Sequence, residues 1–228
     1  MTKIDNTFLD GTYVPQQASV AMRMSWASTR SATKTEDIAY CLLGIFDVSM
    51  PPLYGEKDKA FARLQHEIIK SSDDESIFAW TSRSARSGIL AKSPEAFKNA
   101  GNIIHIRLQP VERLPYFITN KGLHIRSASD TKAKDEIDRS TLEPMGYEYH
   151  VLELGCFRGS SSALTAEDSE VEQMWEQRAL TVELKRSGPT WQRVNCQRLG
   201  RTSNAFRQRR RNGSYHGRGV QRLYLVQL

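Results

Sequence analysis

Residues 38–56 read IAYCLLGIFDVSMPPLYGE, the most apolar run in an otherwise polar chain. Ile38, Leu42 and Ile45 recur every three to four residues, and Ala39, Leu43 and Phe46 widen the same face. That period predicts an α-helix, and a face this broad predicts one that is largely buried. Cys41 falls on it, and a cysteine there reads as a small core residue rather than a nucleophile. Thr33 and Glu36 have the spacing of a capping box, so the helix should begin near Lys34. Gly44 can loosen its last turn, Asp47 suits a cap or turn, and Pro51-Pro52 ends it because neither proline donates a backbone N–H.

Beyond this corner, EKDKAFARLQHEIIKSS carries a stripe of Phe61, Leu64 and Ile68, edged by Ala60 and Ile69, and predicts a second helix. Upstream, SVAMRMSWAS predicts a short helix capped by Ser19, after an irregular lead-in over residues 1–17. Downstream the pattern changes. SIFAWTS is rich in aromatic and β-branched residues and reads as a strand, and SPEAFKNAG reads as a short helix. NIIHIRL, YFITN, LHIRSA, YHVLELGC, ALTVELK, TWQRVNC and RLYLVQL follow as strands, with TNKG as a hairpin turn. Residues 128–146, 158–176 and the Arg-rich 201–222 read as surface or loop. The expectation is an α+β fold: a helical segment over residues 1–73, then a β-rich unit over 74–228 built as a sandwich or a curled antiparallel sheet.

The composition is that of a soluble globular chain: 228 residues, 39% hydrophobic, 25% charged, mean hydropathy -0.53. No run reaches the roughly 18 apolar residues of a membrane span, and the N-terminus lacks the apolar stretch of a signal peptide. Three scattered cysteines predict reduced thiols in the cytoplasm. The net charge of +6 belongs to the end of the chain, because residues 201–228 hold seven arginines and no acid. The remaining 25 basic residues meet 26 acidic ones, so the body is close to neutral. Nucleic acid is therefore not the expected partner, although Phe206 and Tyr215 among the arginines would suit RNA.

No catalytic, cofactor-binding or metal-binding set emerges. Glu36 and Asp37 at a helix N-terminus suit the helix dipole. Asp73, Asp74 and Glu75 in a helix-to-strand break read as water-facing. His66, His105, His124, His150 and His216 are dispersed, with only His105 and His124 in strands that could be neighbours. Arg23 and Trp26 share a helix face and, with Tyr54, suggest a polar lock that joins helix, corner and helix, through stacking or an ion pair to Glu36 or Asp37.

Several fixed pieces occur in order: Arg23-Met24-Ser25-Trp26-Ala27, Glu36-Asp37-Ile38-Ala39-Tyr40, Leu43-Gly44-Ile45-Phe46-Asp47-Val48, Met50-Pro51, Leu53-Tyr54-Gly55-Glu56, Ala60-Phe61, Arg63-Leu64-Gln65 and Ser76-Ile77-Phe78-Ala79-Trp80. This run resembles the end of the fungal heterokaryon-incompatibility (HET) domain. The looser pattern through Leu90-Ala91-Lys92-Ser93-Pro94, Thr119-Asn120-Lys121-Gly122-Leu123 and Trp191-Gln192-Arg193-Val194 resembles the uncharacterised domain that follows it. The family motif residues are Arg23, Trp26, Glu36, Asp37, Tyr40, Gly44, Asp47, Pro51, Tyr54, Gly55 and Trp80. The motifs that open a HET domain are not in these 228 residues. The resemblance thus implies a fragment or remnant: a non-enzymatic accessory module in non-self recognition and programmed cell death, whose partner is another protein or the missing HET region. Two other readings stay open. One is an NAD-cleaving remnant, since HET domains resemble TIR-like folds; the other is nucleic-acid binding through the Arg-rich segment.

Overall fold

A computed structural model describes residues 4–106, 116–127, 148–201 and 222–228. The chain opens with α1 (Asn6–Leu9) and a 3-10 turn at Pro15–Gln17, then α2 (Val20–Ala27), α3 (Thr35–Tyr40), α4 (Leu43–Phe46) and α5 (Lys59–Ser71). In α5 the stripe is realised as read, with Ala60, Phe61, Leu64, Ile68 and Ile69 all buried. Each such large apolar side chain contributes about 2 kcal/mol by leaving water. Two 3-10 turns follow, Glu75–Phe78 and Pro94–Phe97.

Among the described residues nine strands form one sheet. They are β1 (Arg86–Ser87), β2 (Ile103–His105), β3 (Phe117–Thr119), β4 (Gly122–Ser127), β5 (Tyr149–Arg158), β6 (Ala179–Ser187), β7 (Thr190–Val194), β8 (Gly200–Arg201) and β9 (Arg222–Val226). The main path runs β2-β5-β6-β7-β9-β4-β3, with β1 paired to β7 and β8 to β6. Every pairing is antiparallel except β7 with β9, which meet in parallel at Trp191 and Val226. Gly188, at φ 61, serves the two-residue turn between β6 and β7. The TNKG hairpin closes β3 onto β4, and Gly122 there has φ 138 with the carbonyl oxygen of Val226 2.5 Å from where a Cβ would stand. The fold is α+β, with a single mixed sheet.

The larger core joins Met24, Leu42, Phe46, Phe61, Leu64 and Ile68 to Leu152, Leu154, Leu184, Tyr224 and Val226. A smaller one gathers Phe8, Met22, Trp26, Ile104, Phe157 and Trp175. No helix among the described residues is long and apolar enough to cross a membrane.

Several local expectations are corrected. The helix begun near Lys34 breaks after Tyr40, and α4 restarts it at Leu43. Its buried apolar positions are Ala39, Leu42 and Phe46, and Glu36 is buried with them. Cys41 lies at the break and is exposed, because Leu42 takes the core position beside it. The capping box does not form, since Lys34 is the cap residue and Glu36 turns elsewhere. SIFAWTS is not a strand but a 3-10 turn leading into irregular chain. Ser76 to Trp80 are all buried, so the segment has no solvent face to alternate with.

Residues 158–176 are not loose surface. They hold a 3-10 turn, Ser161–Leu164, and most of α6 (Asp168–Arg178). Val171, Met174 and Trp175 form its inner stripe, and the Trp175 indole donates to the Leu154 carbonyl at 3.0 Å. His105 and His124 are not neighbours, because β5, β6, β7 and β9 stand between their strands. Residues 128–146, most of the Arg-rich segment (202–221) and His216 lie outside the described residues.

Candidate functional site

The corner after α4 is held from below by side chains of α3 and α5. Asp47 closes α4 in the left-handed region at φ 53, and its N–H returns to the Leu43 carbonyl. Asp tolerates this conformation better than most residues do. The chain then runs through Met50, which is buried, to Pro51, Pro52, Leu53 and Tyr54, which are exposed. Gly55, at φ 99, turns it back towards α5, and Lys57 follows at φ 51.

Three polar groups grip that loop. Glu36 Oε1 accepts the N–H of Gly55 at 2.7 Å and that of Lys57 at 3.1 Å. The Tyr40 hydroxyl accepts the N–H of Leu53 at 2.7 Å and lies within donating reach of the Leu53 carbonyl (2.9 Å) and Glu56 Oε1 (3.1 Å). Arg63 pairs with Glu56 and also donates to the Pro51 carbonyl at 2.8 Å. These bonds satisfy backbone groups that an irregular loop would otherwise leave to water.

Above the grip, the Tyr54 hydroxyl donates to Asp37 Oδ1 at 3.0 Å, and the Lys34 ammonium stands 4.2 Å from the Tyr54 ring centroid. The Tyr40 ring meets the Tyr54 ring edge-on at 5.7 Å. The bond donated to Asp37 raises the Tyr54 phenol above its ordinary pKa, and burial raises that of Tyr40. Glu36 is held below the ordinary carboxylate value of 4.5 by backbone N–H bonds, its own first and then those of Lys57 and Gly55.

A group whose folded pKa is depressed contributes stability above its unfolded pKa and loses it as pH falls through the folded one. The corner should therefore loosen as pH drops below about 4.5. Glu36→Gln should make stability less sensitive to acid in that range, read as the slope of the denaturation midpoint against pH. An unchanged slope would count against the Glu36 bonds.

Of the eleven motif residues, Glu36, Asp37, Tyr40, Pro51, Tyr54 and Gly55 come together at this corner. Gly44 and Asp47 lie just before it in and after α4. Arg23 does not pair with Glu36 or Asp37. Its guanidinium donates to the Ile45 carbonyl at 3.0 Å and lies 4.7 Å from the Phe46 ring centroid, tying α2 to α4. Trp26 packs on Phe8 at 5.2 Å, away from the corner. Trp80 belongs to a different lock, deep in the molecule. Its indole donates to the Ile89 carbonyl at 2.9 Å, and the Arg193 guanidinium lies over its ring at 3.9 Å.

Sequence reasoning did not single out Arg193, Asp74, Glu75 or Gln65 as anchors. Arg193 is 1% exposed and donates to the carbonyls of Phe78 at 2.8 Å and Trp80 at 2.6 Å. Burial lowers its pKa to about 10, which leaves it charged at neutral pH. Asp74 and Glu75 turn inward instead of facing water: Asp74 accepts from Val20 and Ser76, and Glu75 accepts the Gly155 N–H at 2.6 Å. Gln65 exchanges two bonds with the backbone of Ala91. Among the described residues no group of three or more His, Cys, Asp or Glu is placed to hold a metal ion.

Over 53 residues this chain is 53% identical to the vegetative incompatibility protein HET-E-1 of Podospora anserina. The match is thus a partial one. It takes in 23% of this chain and 4% of that protein's length. No family model matches the chain, and no solved structure does. The relation to HET-E-1 agrees in kind with the resemblance carried by the motif residues. It is a relation of one segment, in a chain that spans a small fraction of its relative.

Proposed function

We propose that this chain is a non-enzymatic accessory module of a fungal vegetative incompatibility protein. It works in the cytoplasm through contact with another protein or with a HET effector region, not through chemistry of its own. The observation that carries the reading is the segment 53% identical to HET-E-1, a vegetative incompatibility protein. The geometry of the corner is consistent with it. Glu36 holds two backbone N–H groups, Asp37 accepts from Tyr54, and Glu56 pairs with Arg63. Each of these carboxylates has a partner within the corner, which supports a structural role for it.

Expression of residues 1–228 in a filamentous fungal host should leave viability unchanged. Cell death on expression would overturn the reading. So would turnover of NAD by the purified chain that Glu36→Ala abolishes.

A further inference from the structure

We propose that the exposed ridge Pro51-Pro52-Leu53-Tyr54 is a ligand for a WW-type domain. This rests on the reading of the chain as an interaction module and names the class of partner. Pro51 and Pro52 are exposed, Leu53 is 53% exposed and Tyr54 59% exposed. Among the exposed large apolar residues, Leu53 and Tyr54 are adjacent in sequence and directly follow two exposed prolines.

The backbone is suited to this role by its covalent chemistry. Each proline fixes its own φ near -65°, and a residue before proline is driven out of the helical region into extended or polyproline II geometry. Met50 and Pro51 both precede a proline, and residues 48–53 are neither helix nor strand. A polyproline II run, with three residues per turn, would bring Pro51 and Tyr54 to one side, and Tyr54 stands where that run meets the turn into Gly55. WW domains take such segments in a groove lined by aromatic rings, and the Pro-Pro-x-Tyr signature is their ligand. A Pro-x-x-P ligand for an SH3 domain is not present here, because Tyr54 stands where the second proline would be.

The grip described above makes the ridge a preorganised ligand. Tyr40, Arg63 and Glu36 bind the backbone at Leu53, Pro51 and Gly55 from the α3 and α5 side. Met50, buried, anchors the near end. Holding a segment in its bound shape removes much of the entropy lost on binding. A partner has to displace the Lys34 ammonium from the Tyr54 ring, compete for one exposed bond to Asp37, and share the Tyr54 ring with the edge of Tyr40.

The test is a titration of the full chain with a purified WW domain selective for Pro-Pro-x-Tyr, alongside an SH3 domain. A synthetic peptide of residues 48–57 serves as competitor. Saturable binding to the WW domain is expected. Pro52→Ala and Tyr54→Ala should each weaken it about tenfold or more, as truncating a central contact does. Lys34→Ala, which uncovers the Tyr54 ring, should not weaken it. Thermal melts of the variants, expected to fall only a few degrees below the parent because Tyr54 also touches Asp37 and Tyr40, separate lost contact from lost fold.

The assignment is overturned if the chain does not bind while the peptide does, or if neither binds. Binding that is indifferent to Pro52 and Tyr54, or that favours the SH3 domain, also overturns it. A chain that leaves fungal viability unchanged yet ignores the WW domain sinks the ridge assignment alone. One that binds the WW domain but kills the host sinks the accessory reading alone.

Discussion

Replacing Arg193 with alanine should cost about 4 kcal/mol of stability and lower Tm by about 10 °C. The guanidinium, on β7, supplies donors to the carbonyls of Phe78 and Trp80, which lie 115 and 113 residues earlier in the chain. It also covers the Trp80 ring at 3.9 Å. Removing it leaves two buried acceptors without this donor, at about 1–3 kcal/mol each, and opens a cavity beside the indole. Burial opposes the charged form, as the lowered pKa of Arg193 records, so part of the loss is offset when the charge goes. Arg193→Lys should recover little, because an ammonium cannot span both carbonyls and stack on the ring. Arg193→Met restores the apolar volume and should fall between lysine and the parent only if packing outweighs the carbonyls. Urea titrations followed by tryptophan fluorescence measure each. A loss below about 1 kcal/mol for Arg193→Ala would mean that water reaches the two carbonyls.

Arg193 also shows where sequence reading stops. In TWQRVNC a charged residue reads as solvent-facing, since arginine is almost never fully buried without partners. Its partners are backbone atoms distant in sequence, which no local pattern announces. The same holds for Ser76 to Trp80: their composition favours a strand, but all are buried and a cap from Asp74 sets a 3-10 turn over Glu75–Phe78. Helix α6 was hidden in a polar segment because its inner stripe is narrow and one tryptophan does most of the packing.

What was legible rests on repetition. In α5, five apolar residues at helical spacing identify both element and buried face. The strands from NIIHIRL onward are bounded by turn residues and are found as strands, with TNKG as the hairpin. At the corner, Pro51-Pro52 announced the break, and the motif residues announced that something is held there. The grip itself joins Glu36 to Lys57 and Tyr40 to Leu53, pairings that no single period encodes.

Asp74→Ala should be the second severe change, at about 3 kcal/mol, because one carboxylate finishes two elements at once. The first turn of a helix has amides with no intrahelical acceptor. In α2 these are met from outside: Met22 N–H by Ser19 Oγ, Ala21 N–H by Ser76 Oγ at 2.9 Å, and Val20 N–H by Asp74 Oδ2 at 2.6 Å. The other oxygen of Asp74 accepts the Ser76 N–H at 2.8 Å, which sets the turn that presents Ser76 to Ala21. Its negative charge also lies at the positive end of α2.

Asp74→Asn keeps an acceptor in place but loses the charge and one of the two oxygens, so it should cost less than alanine. Ser76→Ala should be non-additive with Asp74→Ala, since Asp74 aims the Ser76 hydroxyl at Ala21. Amide exchange at Val20, Ala21 and Ser76 should quicken together in Asp74→Ala, ahead of global unfolding. If Ser76 exchange quickens while Val20 and Ala21 stay protected, then α2 does not depend on this cap, and apolar packing with the Ser19 hydroxyl on the Ile103 carbonyl is enough to join it to the sheet.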